Sequence, residues 1–231
     1  HFRRNRGRCM GAVYWQLNDC WPVISWSSID YWGRWKALHY YAKRFFAPVM
    51  ISCQEESWLT QEANMNRQHF EFEKSIWLNV TNETLQDREI QVKWYLRNAE
   101  AEILREETEI VSVPALTSVW LDKVELPEVD VFTEYVSFEA WEKGEKISEG
   151  TVIFSYPKYF KYEEPNLKWS VEGNTITVSA DTYAKSVEIL NENEDLVLSD
   201  NYFDLNGDSK TVEILRGKPE NIRVRSVFDI R

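Results

Sequence analysis

Four side chains suited to ligand recognition lie close together near the start of the sequence. Trp15, Asn18, Asp19 and Trp21 follow or end one short apolar run. An indole face packs against the apolar face of a ligand, and amide and carboxylate groups hydrogen-bond to hydroxyls. The alternatives are a core position for Trp15, capping of a turn by Asn18 and Asp19, and filling of space beneath a loop by Trp21.

The elements that would hold these side chains are predicted by the apolar pattern around them. Residues 11–17 form a nearly continuous apolar run, which is typical of a strand buried on both faces of a parallel sheet. A loop rich in Ser and Trp follows, and from about Trp35 apolar residues recur at helical spacing until Pro48, with Asp30 as a plausible cap. Residues 9–47 are therefore predicted to be one strand-loop-helix unit of a (β/α)8 barrel.

Beyond Pro48 the apolar period changes to two, which indicates strands. The alternation starts around Phe70 and Phe72 and continues in the runs 76–80, 90–96, 109–113, 118–126, 135–141 and 150–154, with a hairpin turn at 142–146. A polar linker follows, and then six shorter runs between 167 and 228. The fold class is predicted to be mostly β, with two immunoglobulin-like β-sandwich domains at 48–157 and 158–231 preceded by the barrel unit at 1–47.

The barrel unit is not expected to be stable by itself. A (β/α)8 barrel needs eight strands and roughly 250 residues, so one strand and one helix cannot close it. We therefore expect the chain to be part of, or a partner of, something larger. In isolation residues 1–47 should pack against the first sandwich or drive self-association, because their tryptophans would form an exposed apolar patch.

Composition excludes several functional classes. The formal charge of -11 would repel phosphate backbones and anionic lipid, so nucleic acid is not an expected partner. No apolar run approaches the ~20 residues needed to span a bilayer, so no membrane partner is expected. The three cysteines and three histidines are irregularly spaced, which predicts neither a disulfide framework nor a metal site. No cofactor is expected.

Three strings in the first fifth of the chain carry a family resemblance. YWQLNDCWP at 14–22, SWSSIDY at 25–31 and GRWKALHY at 33–40 closely resemble the barrel end of β-mannosidases of glycoside hydrolase family 2. RFFAP at 44–48 resembles the passage of those enzymes into their accessory domains. The later part, including LSDNYF at 198–203, resembles their C-terminal immunoglobulin-like domains. The resemblance makes the barrel unit the last one of its barrel.

The resemblance implies hydrolysis of terminal β-linked mannose with retention of configuration. Such enzymes use two carboxyl groups about 5 Å apart, here expected on earlier barrel strands. The Ser-Glu-Phe/Tyr-Gly context of the nucleophile is absent from this sequence, and the Asn-Glu pairs at 82–83 and 191–192 lie in predicted turns. We therefore expect no catalytic residue in this chain, and an inactive scaffold when it is isolated.

By the same resemblance, Trp15 would be the platform beneath the mannose. The other substrate-binding residues would be Asn18, Asp19 and Trp21. All four lie at the C-terminal end of the predicted strand, where these barrels have their active sites. The partners implied are a β-mannoside and the upstream barrel of the same protein.

Two other functions remain open. The sandwiches could be carbohydrate-binding modules that use Trp58, Trp120, Trp141 and Trp169, although aromatic residues in alternating strands are more often core or interface residues. The chain could also be the same region of a related exo-β-glycosidase, such as an exo-glucosaminidase. Titration with mannan oligosaccharides and hydrolysis of chromogenic glycosides separate these hypotheses.

Overall fold

The chain, described here by a computed structural model over residues 1–9, 11–61 and 71–230, forms two compact units. The first consists of His1–Ala12 and Ala47–Lys161, and the second of Val13–Phe46 and Tyr162–Arg231. Of the predicted barrel unit at 1–47, His1–Ala12 thus group with the first sandwich and Val13–Phe46 with the second. His69 and the alternation predicted at Phe70 lie outside the described residues.

The first unit is a β-sandwich. Its strands are β1 (Val49–Glu56), β2 (Ser75–Asn82), β3 (Arg88–Asn98), β4 (Ile103–Val113), β5 (Thr117–Trp120), β6 (Val124–Glu125), β7 (Glu134–Glu142) and β8 (Glu145–Ile153). One sheet has the order β1-β2-β5, with β6 also paired to β2, and the other has the order β4-β3-β7-β8. All of these pairs are antiparallel.

Alternation along the strands builds the core of this sandwich. Ile90, Val92 and Trp94 of β3 are buried, while the side chains between them are only partly covered. The predicted hairpin turn at 142–146 is confirmed, because Lys143 and Gly144 join β7 to β8 with φ angles of 52° and 86°. Positive φ at both central residues is what a tight two-residue hairpin requires.

The second unit contains the second, smaller sandwich. Its strands are β9 (Lys168–Glu172), β10 (Thr175–Ser179), β11 (Tyr183–Leu190), β12 (Val197–Leu198), β13 (Phe203–Asn206), β14 (Ser209–Arg216) and β15 (Arg223–Arg225). Its sheets have the orders β12-β14-β10-β9 and β13-β11-β15. The sequence pattern missed β1 and β13, but the predicted fold class, mostly β with two sandwiches, is confirmed.

One α-helix, α1 (Ala37–Phe45), packs against the second sandwich. The Tyr40 ring is buried among the core residues of that sandwich, and its hydroxyl accepts a hydrogen bond from the backbone N–H of Leu198 at 3.2 Å. Arg44 donates to the carboxylate of Asp200 at 2.6 Å and to the carbonyl of Tyr202 at 2.9 Å. The apolar face of α1 thus finds its partner within the second unit.

Two local predictions for the barrel unit were wrong. Residues 11–17 do not form a strand, and the extended pairing there is an isolated parallel bridge between Asn18 and Ile29. Asp30 does not cap α1, whose N-cap is Lys36. Instead, its carboxylate accepts hydrogen bonds from the backbone N–H groups of Trp32 and Arg34 at 3.0 and 2.9 Å, which closes a tight turn that precedes the helix.

A short 3₁₀ helix at Arg3–Asn5 packs with the first sandwich. The Arg3 guanidinium donates to the carbonyl of Ala47 at 2.7 Å, and Arg6 forms an ion pair with Glu83. A second 3₁₀ helix lies at Val227–Ile230. None of the helices in the described residues has the length and apolar character required to cross a bilayer.

Candidate functional site

The loop that follows Leu17 returns to lie beside the segment it leaves. The N–H of Ser28 donates to the carbonyl of Gln16 at 2.9 Å, and the N–H of Ile29 donates to Leu17 at 2.8 Å. The N–H of Asp19 then donates back to the carbonyl of Ile29 at 3.1 Å. These bonds fix Asn18 and Asp19 at the base of a closed loop, whose middle is residues 20–27.

Asp19 is the centre of this loop. Its carboxylate is buried and accepts hydrogen bonds from the hydroxyls of Ser25 at 2.6 Å and Ser27 at 2.7 Å. Lys36 lies 3.6 Å away and also donates to Ser27 Oγ at 2.8 Å. The Ser25 and Ser27 hydroxyls, followed by the Lys36 charge, lower the pKa of the carboxyl despite its burial. Asp19 is therefore ionised at neutral pH.

This network determines what Asp19 can do chemically. A carboxylate with a lowered pKa is a poor proton donor at neutral pH, and both of its oxygens are already occupied by donors from the loop. The geometry therefore favours the structural alternative, in which Asp19 holds the loop. Its neighbour Asn18 has an exposed side chain, with a long 3.3 Å bond from Nδ2 to the Asp19 carbonyl.

The two tryptophans predicted to contact a ligand are both on the surface. Trp15 is 74% exposed and Trp21 is 62% exposed, so neither indole fills a core within this chain. The Trp15–Gln16 peptide bond is cis. They belong to a set that we call the exposed strip, seven large apolar side chains that face solvent: Val13, Trp15, Leu17, Trp21, Val23, Ile24 and Trp26.

A second polar cluster lies behind the loop. The buried hydroxyl of Ser28 is 3.1 Å from His39 Nδ1, 3.1 Å from the Tyr14 hydroxyl and 2.9 Å from the carbonyl of Leu17. Burial lowers the pKa of His39, which favours a neutral imidazole. In the part of the chain that the structure describes, no group of three His, Cys, Asp or Glu residues is placed to hold a metal ion.

The tryptophans of the carbohydrate-binding alternative are mostly covered by other side chains. Trp58 is stacked on Tyr159 with centroids 5.4 Å apart, and Trp120 packs against Trp77 at 4.3 Å. Trp141 has the Lys93 ammonium 4.9 Å above its ring. Trp169 is the exception, with 45% of its surface exposed on β9. These contacts favour packing roles for the first three.

The Asn-Glu pairs identified in the sequence are also engaged. Glu83 forms ion pairs with Arg3 and Arg6, and Glu192 accepts a hydrogen bond from Asn221 at 2.8 Å. Asn82 is fully buried, and its Nδ2 donates to the carbonyl of Gln86 at 2.8 Å. Both pairs thus have structural partners at the positions where turns were predicted.

Comparison with known proteins identifies both sandwiches. The domain family described as "Mannosidase Ig/CBM-like domain" matches residues 74–159, and the family described as "Ig-fold domain", of the mannosidase type, matches residues 162–230. Together the two matches cover most of the chain beyond residue 73.

The chain is also similar in sequence to curated β-mannosidases. The β-mannosidase of Capra hircus is 62% identical over 45 residues, which are 20% of this chain and 5% of that protein. β-Mannosidase B of Aspergillus terreus is 27% identical over 222 residues, covering 89% of this chain and 25% of that protein. The chain thus spans a quarter or less of the length of these relatives.

Solved structures show the same fold. The β-D-mannosidase of Dictyoglomus thermophilum superimposes with a TM-score of 0.74 at 22% identity, over 98% of this chain and 27% of that one. The exo-chitosanase of Amycolatopsis orientalis gives a TM-score of 0.65 at 16% identity, over 98% of this chain and 31% of that one.

Proposed function

This chain belongs to the β-mannosidases of glycoside hydrolase family 2, and on that premise we propose that it completes and braces the catalytic barrel of an exo-acting glycosidase that releases terminal β-linked mannose. Residues 13–46 supply the last loop-helix unit of that barrel, and residues 11–17, which do not form a strand within this chain, would pair with a strand of the upstream barrel. Residues 48–157 and 158–231 are the two sandwiches that support it.

The exposed strip is the observation that carries this proposal. Its backbone is tied down by the Asp19 and Ser28 networks, yet Trp15 is 74% exposed and Ile24 is fully exposed. A globular domain rarely leaves so many large apolar side chains of one short segment uncovered unless a partner covers them. Neighbouring strands and helices of a barrel would cover part of this strip, and a sugar would cover the rest.

The side chains divide the work in this proposal. Trp15 presents its indole to the apolar face of the mannose, with Trp21 beside the entrance, and Asn18 hydrogen-bonds to a hydroxyl. Asp19 keeps the loop in place because it stays ionised and saturated by its serine donors. Retaining hydrolysis requires an acid/base and a nucleophile about 5 Å apart, and we propose that both come from barrel strands upstream of this chain.

Chromogenic substrates test the proposal. The 231-residue chain should hydrolyse neither p-nitrophenyl β-mannoside nor p-nitrophenyl β-glucosaminide above the buffer rate. A longer protein that joins this chain to its upstream barrel should hydrolyse the mannoside in preference to the glucosaminide. Preference for the glucosaminide would instead support the exo-glucosaminidase alternative, and turnover by the chain alone would contradict the scaffold role.

A further inference from the structure

A cleft lies in the second unit, formed by residues outside the strip. It has a volume of about 410 Å³ and is lined by Trp32, Arg34, Asn193, Glu194, Asp195 and Arg216. Sites for small ligands occupy about 300–1,000 Å³, so the cleft is large enough for one sugar unit. The indole of Trp32 is 63% exposed, and the Arg34 guanidinium lies 5.1 Å from its ring centre.

The cleft joins the turn closed by Asp30 to one end of the second sandwich. Arg34 forms ion pairs with Asp30 on its own turn and with Glu194 of the sandwich. Arg216, the last residue of β14, donates to the carbonyl of Gly33. Two arginines therefore link the walls of the cleft from opposite sides.

Hydrogen bonds from Asn191 hold the sandwich side of the cleft in place. The buried amide of Asn191 donates to the carboxylate of Asp195 at 2.6 Å and to the carbonyl of Lys218 at 3.0 Å. Gly217 has φ +91°, and a Cβ at this position would lie 2.6 Å from the carbonyl oxygen of Asp195. This close backbone approach fixes the turn before any ligand arrives, which reduces the entropic cost of binding.

The charges of the lining select the class of ligand. Arg34 and Arg216 face Glu194 and Asp195, so the cationic and anionic side chains balance. An anionic ligand would have to displace Glu194 from Arg34, whereas hydroxyl groups can accept from the arginines and donate to the carboxylates together. An exposed indole beside such groups suits the apolar face of a pyranose.

We propose that this cleft binds a neutral sugar unit of the oligosaccharide substrate, away from the bond that is cleaved. The identity of the sugar as a mannose unit rests on the proposed function. The loop from Asn18 to Lys36 connects the two sites, since it begins beside Trp15 and carries Trp32 in its last turn.

Titration of the 231-residue chain with β-1,4-mannotetraose tests the proposal without requiring catalysis. The indole N–H signal of Trp32 should shift in ¹⁵N-resolved NMR spectra, and calorimetry should give a Kd that Trp32→Ala raises by about tenfold, because a large apolar contact is lost. Val171→Ala, at an exposed apolar side chain of β9 in the same unit, should leave the Kd unchanged. In the Trp15→Ala variant, a Trp32 shift that persists assigns the binding to this cleft, and a Trp32 shift that is lost assigns it to the strip.

Three results would overturn the assignment: an unmoved Trp32 signal at saturation, an unchanged Kd in Trp32→Ala, or tighter binding of a glucosamine tetramer than of the mannotetraose. The NMR shift is read in the unaltered chain, so it holds whether or not a variant folds. Failure of the longer protein to hydrolyse β-mannosides would refute the proposed function while leaving a positive Trp32 titration intact.

Discussion

The buried side of α1 allows a quantitative test of how the barrel unit is attached. Tyr40 is 2% exposed and packs in the core of the second sandwich, while the next residue, Tyr41, is 41% exposed. Tyr40→Phe removes the acceptor for the N–H of Leu198, which is itself fully buried, and an unsatisfied buried donor costs about 1–3 kcal/mol. Tyr40→Ala also leaves a cavity, and large aromatic-to-alanine changes in cores cost about 3–5 kcal/mol.

These losses are large for a unit of this size. A domain of about 100 residues has a free energy of unfolding of about 5–15 kcal/mol, so Tyr40→Ala should remove a substantial part of it. Hydrogen exchange measured against urea resolves the two units, because peptides from β10 and β14 report on the second and peptides from β2 and β3 on the first.

The expected result is specific to one unit. Tyr40→Ala should lower the midpoint of the second unit and leave that of the first unchanged. Tyr41→Phe, which removes only a surface bond to Ser186, should change the free energy of unfolding by less than about 0.5 kcal/mol. A Tyr40→Ala variant with an unaltered second-unit midpoint would refute the claim that α1 belongs to that core.

Three further predictions concern separate features. Serine hydroxyls lower the pKa of Asp19, so its contribution to loop stability is present above the usual carboxyl pKa of about 4 and is lost as the pH falls through the lowered value. The amide NMR chemical shifts of the loop should therefore be unchanged from pH 7 to 5 and should change only in more acidic solution. A change centred near pH 6 would contradict this. Asn82→Ala should lower the free energy of unfolding of the first unit by at least about 2 kcal/mol in urea titrations, because three backbone carbonyls lose a buried donor. An unchanged free energy of unfolding would argue against these hydrogen bonds. The chain should self-associate through the exposed strip, as measured by sedimentation velocity. The double variant Ile24→Ser with Trp26→Ser should reduce this association more than Leu85→Ser, at an exposed site on the first sandwich, and equal effects would exclude the strip as the contact.

Much of the fold could be predicted from side-chain alternation. The buried set Ile90, Val92 and Trp94 repeats every second residue, and Lys143-Gly144 is a strong turn signal, so the β3 and β7-β8 region was predicted correctly. Strand β1 was missed because its burial is clear only near Val49 and Ile51 before the strand becomes polar. Most of β4 is exposed, so its early residues show no apolar period.

The barrel unit was harder to predict because its contacts are not local. A strand forms when a neighbouring strand pairs with it, and within this chain residues 11–17 have the loop as their partner instead. The attachment of α1 to the second sandwich depends on Tyr40, which meets Leu198 far along the chain. Tyr40 lies outside the helical spacing that the sequence shows at Trp35, Leu38, Ala42 and Phe45. Sequence spacing carries no information about such a contact.

The candidate site was predicted in residue type but only partly in role. Trp15 and Trp21 are exposed within this chain, and their contact with sugar stays a prediction. The partners of Asp19 come from serines six and eight positions later, a signal visible only as a Ser-rich loop. The cleft at Trp32 was missed because it joins segments about 160 residues apart.

The most direct test of the account is the β-mannosidase activity of the longer protein with Trp15 replaced. In that protein Trp15→Ala should lower kcat/KM for p-nitrophenyl β-mannoside by at least about 100-fold, since the platform beneath the reacting sugar is lost. Trp120→Ala, at a tryptophan packed within the first sandwich, should change it by less than about threefold if the fold is retained. Activity that is indifferent to Trp15, or absent altogether from a folded longer protein, would contradict the assignment of this chain to the rim of a mannose-cleaving site.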